Sequence, residues 1–154
     1  MSITRRATAG LAAILGVLAL APVAAADRVY HAQHIALEPV ASAPLRSGFV
    51  ENIHANGPQI YAQERYVLNH ALPSTTFEVH LVAYPFDPSC TSAPVDFGFV
   101  TLTTNGAGNG VARRTFHVSD VPLQLRDATH GIRWEVRSGA TTIYATGCEA
   151  VTLD

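Results

Sequence analysis

Seven histidines are the residues of this chain best suited to chemistry, because a neutral imidazole ring binds zinc or copper. His31 and His34 are three residues apart in an extended segment, which places their rings on opposite faces of a strand. The sequence contains no His-x-His pair, which would place two rings on one face. A metal site therefore requires histidines from separate strands to converge, and His54, His80 and His117 are the candidates.

The sequence does not show the usual catalytic constellations. Ser119, Asp120 and His130 are close in the chain, but no Gly-x-Ser-x-Gly turn presents a nucleophile, and Ser119-Asp120 is typical of a turn. Four glutamates occupy alternating strand positions, where we expect solvated faces rather than a glycosidase pair; they are Glu51, Glu64, Glu78 and Glu135. We therefore predict a protein that is not an enzyme, with no catalytic residue and no cofactor.

The N-terminal segment, residues 1–26, has the three zones of a cleavable secretory signal. Arg5 and Arg6 form the positive end, an uncharged apolar run follows, and Ala24–Ala26 supply the small side chains that signal peptidase accepts. The paired arginines leave both the general and the twin-arginine export routes open. We predict cleavage after Ala26, a single mature domain over 27–154 that is secreted (extracellular or periplasmic), and no stable membrane span.

The charge of the mature chain limits its partners. The signal segment contains two of the ten basic residues and no acidic residue, which leaves eight basic and twelve acidic residues. Nucleic acid and anionic lipid require clustered positive charge, so neither is an expected partner. We expect a protein or a cell-surface ligand instead.

The sequence contains two cysteines, Cys90 and Cys148. An even number of cysteines in an exported chain predicts a disulfide, and neither has a second Cys or His at ligand spacing. Cys90 follows a proline-rich loop, and Cys148 precedes the last predicted strand. We expect the bond to join that loop to that strand near the rim of the domain, with Cα atoms about 4.4–6.8 Å apart.

Alternation of apolar and polar residues, the period of a half-buried strand, runs through most of the mature chain. Ile132, Trp134 and Val136 alternate with charged residues, so we predict that Trp134 points into the core. β-branched and aromatic residues dominate these segments, as they do in pleated sheets. The predicted strands cover residues 29–37, 49–54, 77–84, 95–101, 111–118, 132–137, 142–146 and 151–153.

Residues 60–72 carry two competing periods. Helical spacing relates Ile60, Val67, Leu68, Ala71 and Leu72, whereas strand alternation relates Ile60, Ala62, Glu64, Tyr66 and Leu68. We favour a strand, because the surrounding segments are all β and the helical series is incomplete.

Turn-forming residues separate the predicted strands. Asn56-Gly57-Pro58 cannot continue a strand, and the glycine-rich segment 105–110 predicts a hairpin with positive φ angles. Asp127–Gly131 and Ser138-Gly139 are predicted to be further turns. Strands that recur every 8–12 residues with such turns favour an antiparallel sandwich or barrel.

The run Leu72-Pro73-Ser74-Thr75-Thr76-Phe77-Glu78-Val79 resembles the entry to a strand in fibronectin type III and other immunoglobulin-like domains. In those domains a Leu, a Pro and a Thr precede an aromatic residue and alternating apolar residues. Phe77 stands where a Tyr is usual, so a tyrosine-corner hydrogen bond cannot form there. The whole mature chain also resembles small secreted bacterial sandwich proteins. The resemblance implies an all-β, antiparallel, immunoglobulin-like β-sandwich of about 7–9 strands with one disulfide, and no particular reaction.

Recognition by such a domain uses its end loops and one sheet face. Tyr61, Tyr66, Tyr84 and Tyr144 fall at positions that we interpret as outward or ambiguous, and tyrosine combines apolar area with a hydrogen-bonding tip. The leading hypothesis is a secreted, non-enzymatic domain with a binding or structural role. The alternative is a histidine-based copper or zinc site, which requires three histidines to converge.

Overall fold

The computed structural model describes residues 31–40, 42–54 and 60–153, apart from the side chain of His31. The predicted signal segment, its cleavage site and the Asn56-Gly57-Pro58 turn lie outside the described residues. No helix within the described part of the chain is long and apolar enough to cross a membrane.

The described residues form ten β-strands and two short 3-10 helices. Every strand pairing is antiparallel. The strands are β1 (His31–Ala36), β2 (Glu38–Pro39), β3 (Ser47–His54), β4 (Ile60–Asn69), β5 (Thr76–Tyr84), β6 (Val95–Thr103), β7 (Gly110–His117), β8 (Ala128–Ser138), β9 (Thr141–Ala145) and β10 (Glu149–Leu153). The 3-10 helices, Val118–Asp120 and Leu123–Leu125, lie between β7 and β8. The all-β antiparallel prediction is confirmed, and the ambiguous segment 60–72 contains β4 rather than a helix.

The strands form two sheets. The four-stranded sheet has the order β1-β3-β4-β7, and the six-stranded sheet has the order β2-β9-β8-β5-β6, with β10 also paired to β8. β10 pairs with the first half of β8 and β9 with the second half, so one long strand supports both. The two-residue strand β2 is absent from the sequence-based prediction, because two residues are too few to show a period.

Buried side chains from both sheets form one hydrophobic core cluster. Its largest fully buried members are Trp134, Tyr66, Tyr144 and Phe77. Trp134 has no exposed surface, while Arg133 and Glu135 on either side of it are only partly buried, which confirms the predicted alternation in β8. The rings of Phe77 and Tyr144 meet edge to face, with centroids 5.8 Å apart.

A β-bulge interrupts the alternation of β6. Phe97 and Gly98 lie opposite the single residue Leu81 of β5, and Gly98 has a φ of 79°. The extra residue reverses the phase of the strand, so Phe99 is 51% exposed although it continues the apolar series that contains Phe97. Sequence alternation alone could not locate this reversal.

The predicted hairpin at 105–110 is wrong. The segment does turn, and Gly108 has a φ of 76°, but β6 and β7 belong to different sheets. The loop packs on Ala71, whose N–H donates to the Gly108 carbonyl at 3.0 Å, and a Cβ on Gly108 would collide with the Ala71 backbone. A glycine-rich turn has the same local chemistry whether the next strand pairs with its neighbour or crosses to another sheet.

The turn predicted at Asp127–Gly131 is also wrong beyond its first residue. Asp127 has a φ of 56°, but β8 begins at Ala128 and continues through Gly131. A Cβ on Gly131 would collide with the Asp87 carbonyl and the Cys90 sulfur. This glycine therefore provides space for the disulfide loop inside a strand.

The disulfide joins Cys90 to Cys148 with a Cα–Cα distance of 5.9 Å. Cys148 is exposed and directly precedes β10, whereas Trp134 is fully buried, so the bond lies at the rim as predicted. Asp87 organises the loop before Cys90. Its carboxylate accepts hydrogen bonds from the Ser89 hydroxyl and from backbone N–H groups, and these bonds lower the pKa of Asp87.

Candidate functional site

The inner face of the four-stranded sheet carries polar side chains where apolar ones are usual. The strand register places Gln33 opposite Asn52, Asn52 opposite Glu64, and Glu64 opposite Arg114. These four residues thus form one line across all four strands, which we call the polar row. Each lies in phase with buried inward residues of its own strand.

Glu64 is the most deeply placed charged residue of the polar row, at 3% exposed. The expectation of a solvated position is wrong for this residue, because it shares the inward face of β4 with Ala62, Tyr66 and Leu68, all of which are buried. The sequence did contain a usable indication. Glu64 is the only charged member of an otherwise apolar or aromatic alternating series.

Burial raises the pKa of Glu64 to about 7. The Tyr66 hydroxyl donates a hydrogen bond to the carboxylate and opposes that rise, as do the Trp134 indole and the charge of Arg114. The indole N–H is near enough to favour the carboxylate but makes no hydrogen bond of ordinary length. Burial, together with Glu64, raises the pKa of Tyr66, which therefore remains a neutral donor.

Arg114 connects the polar row to the second sheet. Its guanidinium donates to the carbonyls of Gly98 at 2.9 Å and Phe97 at 2.6 Å, which are the two residues of the β6 bulge. The same group lies over the Phe116 ring, 4.2 Å from the centroid. Arg114 therefore joins the adjacent edges of the two sheets and acts on Glu64 by charge.

Asn52 supplies a buried acceptor that the described residues leave unpaired. Its side chain is 2% exposed, and its Nδ2 is 3.0 Å from Nε2 of His54. Its Oδ1 has no hydrogen-bond partner in the described part of the chain. Buried polar atoms in proteins are nearly always paired, so this oxygen is an exception, as are Gln33 Oε1 of the same row and Trp134 Nε1.

A partly open cavity of about 50 Å³ lies beside Asn52 and Glu64, with walls from both sheets. This volume holds roughly three to five water molecules, or a small organic group. Apart from the two polar-row residues, it is lined by His54, Tyr61, Ala62, Leu81, Ala83, Phe97, Phe116, Val121, Leu125, His130, Ile132, Trp134, Val151 and Leu153. The surface that these residues present to the cavity is apolar.

The residues considered for hydrolysis do not form a catalytic group. His130 is 1% exposed and uses both ring nitrogens on the backbone: Nε2 donates to the Leu125 carbonyl at 2.7 Å, and Nδ1 accepts from the Phe86 N–H at 3.0 Å. Asp120 accepts from the His117 N–H at 2.8 Å and closes a turn. The contacts of His130 and of Asp120 are therefore structural.

The candidate metal-binding histidines occupy different environments. His54 contacts Asn52, His80 lies on the six-stranded sheet, and His117 is exposed at the end of β7. Among the described side chains, no group of three or more His, Cys, Asp or Glu residues could hold a metal ion. The copper or zinc alternative therefore has no geometric support from these residues.

The tyrosines interpreted as outward are mostly core residues. Tyr66 and Tyr144 are fully buried and Tyr84 is 8% exposed, so none of these three positions, which we interpret as outward or ambiguous, is outward. The Tyr144 hydroxyl donates to the Pro44 carbonyl at 2.9 Å, which explains how a polar tip is tolerated in the core. Tyr61 is half-buried and lines the cavity.

The outward face of the six-stranded sheet carries a second polar cluster, which we call the outer network. It consists of Glu78, His80, Asp96, Glu135 and Arg137. His80 lies 2.8 Å from Asp96 and 3.3 Å from Glu78, and Arg137 contacts Asp96 at 3.1 Å and Glu135 at 2.8 Å. Partial burial acts to raise the pKa of Asp96. Hydrogen bonds from Gly98 and His80 and the charge of Arg137 outweigh burial, so the pKa is lowered.

Comparison of the chain with protein-family models, curated proteins and solved structures finds no match in any of the three. The functional inference therefore comes from the residues themselves. Of the clusters described above, the polar row combines deep burial, an unpaired acceptor and an adjacent cavity.

Proposed function

We propose that this protein is a secreted, non-enzymatic domain of the immunoglobulin-like sandwich type that binds a small ligand between its two sheets. The ligand is a small molecule, or a group of the same chemistry carried by a cell-surface ligand. One observation carries the proposal: a partly open cavity of about 50 Å³ with an apolar surface lies between the two sheets, beside the buried polar row. Apolar cavities of this kind admit small apolar guests.

The sandwich arrangement is supported by the core and by the sheet edges. Side chains of both sheets contribute to one hydrophobic cluster, as expected for two sheets packed face to face. Arg114 bonds across the adjacent edges of β7 and β6. The export proposal is supported by the three zones of residues 1–26 and by the disulfide, which is typical of oxidising compartments.

A binding role is favoured over catalysis by the composition of the cavity. Its described lining contains one carboxylic acid and no serine, cysteine or lysine. His130 lines it, but both ring nitrogens are engaged by backbone groups. A lone acid among apolar side chains suits the orientation of a bound group better than a two-step reaction.

Xenon under pressure tests whether the cavity admits a guest, because xenon enters apolar cavities without specific polar contacts. We expect saturable xenon-dependent shifts of the Leu81 and Val151 methyl signals in NMR spectra of the wild type. Ala62→Leu should abolish them by filling the cavity. Ala112→Leu, on the inward face of β7 but outside the cavity lining, is the matched control and should leave them intact.

Thermal unfolding verifies that both variants are folded before the comparison is made. Wild-type protein without xenon-dependent shifts, or equal shifts in Ala62→Leu, would show that the cavity is not a binding site.

Export has a separate test. We expect intact-mass measurement of the exported protein to give a chain that starts at Asp27. Exported material that retains Met1 would contradict cleavage.

A further inference from the structure

We infer that the cavity binds the alkyl chain of a short fatty acid, and that Arg126 holds the carboxylate of this ligand outside the cavity opening. This inference rests on the proposed function, since it names the ligand class of the same cavity. It depends on the size and polarity of the cavity and on the charge beside its opening.

The size of the cavity favours a narrow chain over a ring. Its surface is apolar and its volume is about 50 Å³. An apolar cavity that accepts benzene has a volume of about 150 Å³, roughly three times as large. A methylene group is about as large as a water molecule, so this cavity has room for a chain end of about three to five carbons.

A polar head group finds no partner inside the cavity. Asn52, Glu64 and Trp134 line it, but their polar atoms do not contribute to its surface. His130 also lines it, and both of its ring nitrogens are engaged by backbone groups. A head group attached to the chain must therefore lie outside, where the cavity opens.

The cavity opens at the end of the sheets where β3 and β10 end and β4 begins. Most of its lining residues are buried, and the half-buried ones are His54, Tyr61, Phe97 and Leu153. His54 is the last residue of β3, Leu153 is the last of β10, and Tyr61 is the second of β4. A short chain can therefore enter from solvent at this end.

Arg126 places a positive charge beside this opening. Its guanidinium lies over the Tyr61 ring, with Cζ 5.6 Å from the centroid. Nε and Nη2 donate to the carbonyl of Val121, a lining residue, at 3.2 and 2.9 Å, and Nη2 also donates to the Val118 carbonyl at 2.6 Å. Nη1 has no hydrogen-bond partner in the described part of the chain. These contacts fix the guanidinium and leave one nitrogen for a ligand.

No carboxylate of the described residues neutralises Arg126. It takes part in none of the ion pairs between described side chains. Asp127 follows it in the chain, and Asp120 accepts a hydrogen bond from the His117 N–H, but neither is ion-paired with Arg126. A carboxylate forms short, charge-assisted hydrogen bonds with guanidinium N–H groups. An alkyl chain that ends in a carboxylate therefore complements both the apolar cavity and the cation beside it.

Three ligands of one chain length, pentanoate, pentanol and pentylammonium, separate the possible head groups. NMR titration of the Leu81 and Val151 methyl signals gives the three affinities. We expect pentanoate to bind at least about fivefold more tightly than pentanol, because only the carboxylate is attracted by Arg126. Pentylammonium should bind most weakly.

A series of carboxylates tests the alkyl chain. From propionate to pentanoate, each added carbon should tighten binding by about fourfold, as expected for the burial of one methylene. The gain should cease once the chain exceeds about six carbons, because the cavity is then filled. Benzoate, whose ring is too large, should bind no more tightly than propionate. Benzoate that binds as tightly as pentanoate, or no gain with chain length, would show that the cavity does not hold an alkyl chain.

Arg126→Gln removes the charge but keeps an N–H donor for the Val121 carbonyl. We expect it to reduce the affinity for pentanoate to that for pentanol and to leave pentanol binding unchanged, whereas Arg126→Lys should keep the preference. Arg133→Gln is the matched control. Arg133 is also half-buried and donates to a carbonyl, that of Thr146 at 3.3 Å, but it does not line the cavity. Its replacement should change neither affinity.

A measurement on the wild type alone covers the case in which Arg126→Gln does not fold. Pentanoate, but not pentanol, should shift the NMR signal of the Arg126 Nε–H group. If this signal does not move, or if Arg126→Gln retains the preference for pentanoate, the assignment of Arg126 is wrong.

The remaining outcomes separate this inference from the proposed function. If xenon enters but pentanol or pentylammonium binds as well as pentanoate, the fatty-acid assignment is wrong and the binding site stands. If neither xenon nor any of these ligands binds, both proposals are wrong.

Discussion

The polar row and the outer network are built from nearly the same residue types but differ in environment. Each contains glutamate and arginine and crosses several strands of one sheet. The outer network includes His80, and His54 contacts Asn52 of the polar row. In the outer network, His80, Asp96, Glu135 and Arg137 contact one another at 2.8–3.1 Å or through a shared partner. In the polar row, Glu64 is buried and its neighbour Asn52 has an unpaired oxygen.

The pKa shifts of Glu64 and Asp96 differ in the same way between the polar row and the outer network. Hydrogen bonds and opposite charges at the half-exposed outer face lower the pKa of Asp96, whereas burial raises that of Glu64. Water and close partners satisfy the outer carboxylates without need of a ligand. Solvent access, rather than residue type, therefore distinguishes a stabilising ion-pair network from a candidate site.

Removing the disulfide should give the largest effect and should act mainly on the polar-row side. Replacement of Cys90 and Cys148 by Ser frees a loop with a sequence separation of 58, at a cost of about 2–5 kcal/mol in the free energy of unfolding. β10 lines the cavity through Val151 and Leu153, so their methyl signals should broaden. The methyl signals of Val79 and Val136, on the strands that carry the outer network, should stay sharp. Urea unfolding and methyl NMR measure both effects. A double variant that unfolds at the wild-type urea concentration would contradict the stabilising role.

Arg114→Met and Arg137→Met compare one arginine from each cluster. Arg114→Met leaves the Phe97 and Gly98 carbonyls without their donor and removes the cation opposite Glu64, so we expect a loss of about 2–4 kcal/mol. Arg137→Met removes partly exposed ion pairs and should cost about 1 kcal/mol or less. Chemical denaturation gives both values. Equal losses in the free energy of unfolding would show that the two clusters do not differ in their contribution to stability.

The pH dependence of the free energy of unfolding should reveal the contribution of Glu64. Its pKa is raised from 4.5 to about 7 in the folded state, so the native protein retains a proton that the unfolded chain releases. Glu64 therefore contributes its stability below about pH 4.5 and loses it as pH rises through about 7, by on the order of 3–4 kcal/mol. Glu64→Gln should lack this loss and show a flatter profile. Parallel profiles for the two proteins, measured by urea unfolding, would show that Glu64 is not buried as an acid.

Asp96→Asn should give the smallest effect, with the opposite pH sign. The lowered pKa means that Asp96 contributes stability above about pH 4 and loses that contribution as pH falls further. Because its side chain is partly exposed, we expect a cost of less than about 1 kcal/mol at neutral pH, screened by salt. Unfolding measured at low and neutral pH, and at low and high salt, tests this. A cost that persists at about pH 3 would indicate packing rather than charge.

Much of the fold was predictable because strand alternation is a local property. The segments that form β8 and β10 follow the apolar pattern, and Trp134 lies where that pattern places it. The disulfide followed from the number and position of the cysteines. By contrast, the β6 bulge depends on pairing with Leu81, and the connection at 105–110 depends on which sheet β7 joins. Neither is visible within the segment itself.

Most of the strands, the disulfide and, where no bulge interrupts a strand, the residues that share each strand face follow from the sequence alone, because they depend on a period of two and on two cysteines. The same period places Glu64 in phase with Ala62 and Tyr66. That this face packs against residues of the other sheet, Trp134 among them, depends on the tertiary structure. The groups that bury Glu64 and shift its pKa, Trp134 and Arg114 among them, come from strands distant in the chain. A residue's face is encoded locally, but what covers that face depends on sheet packing, and that packing sets the polarity around the acid.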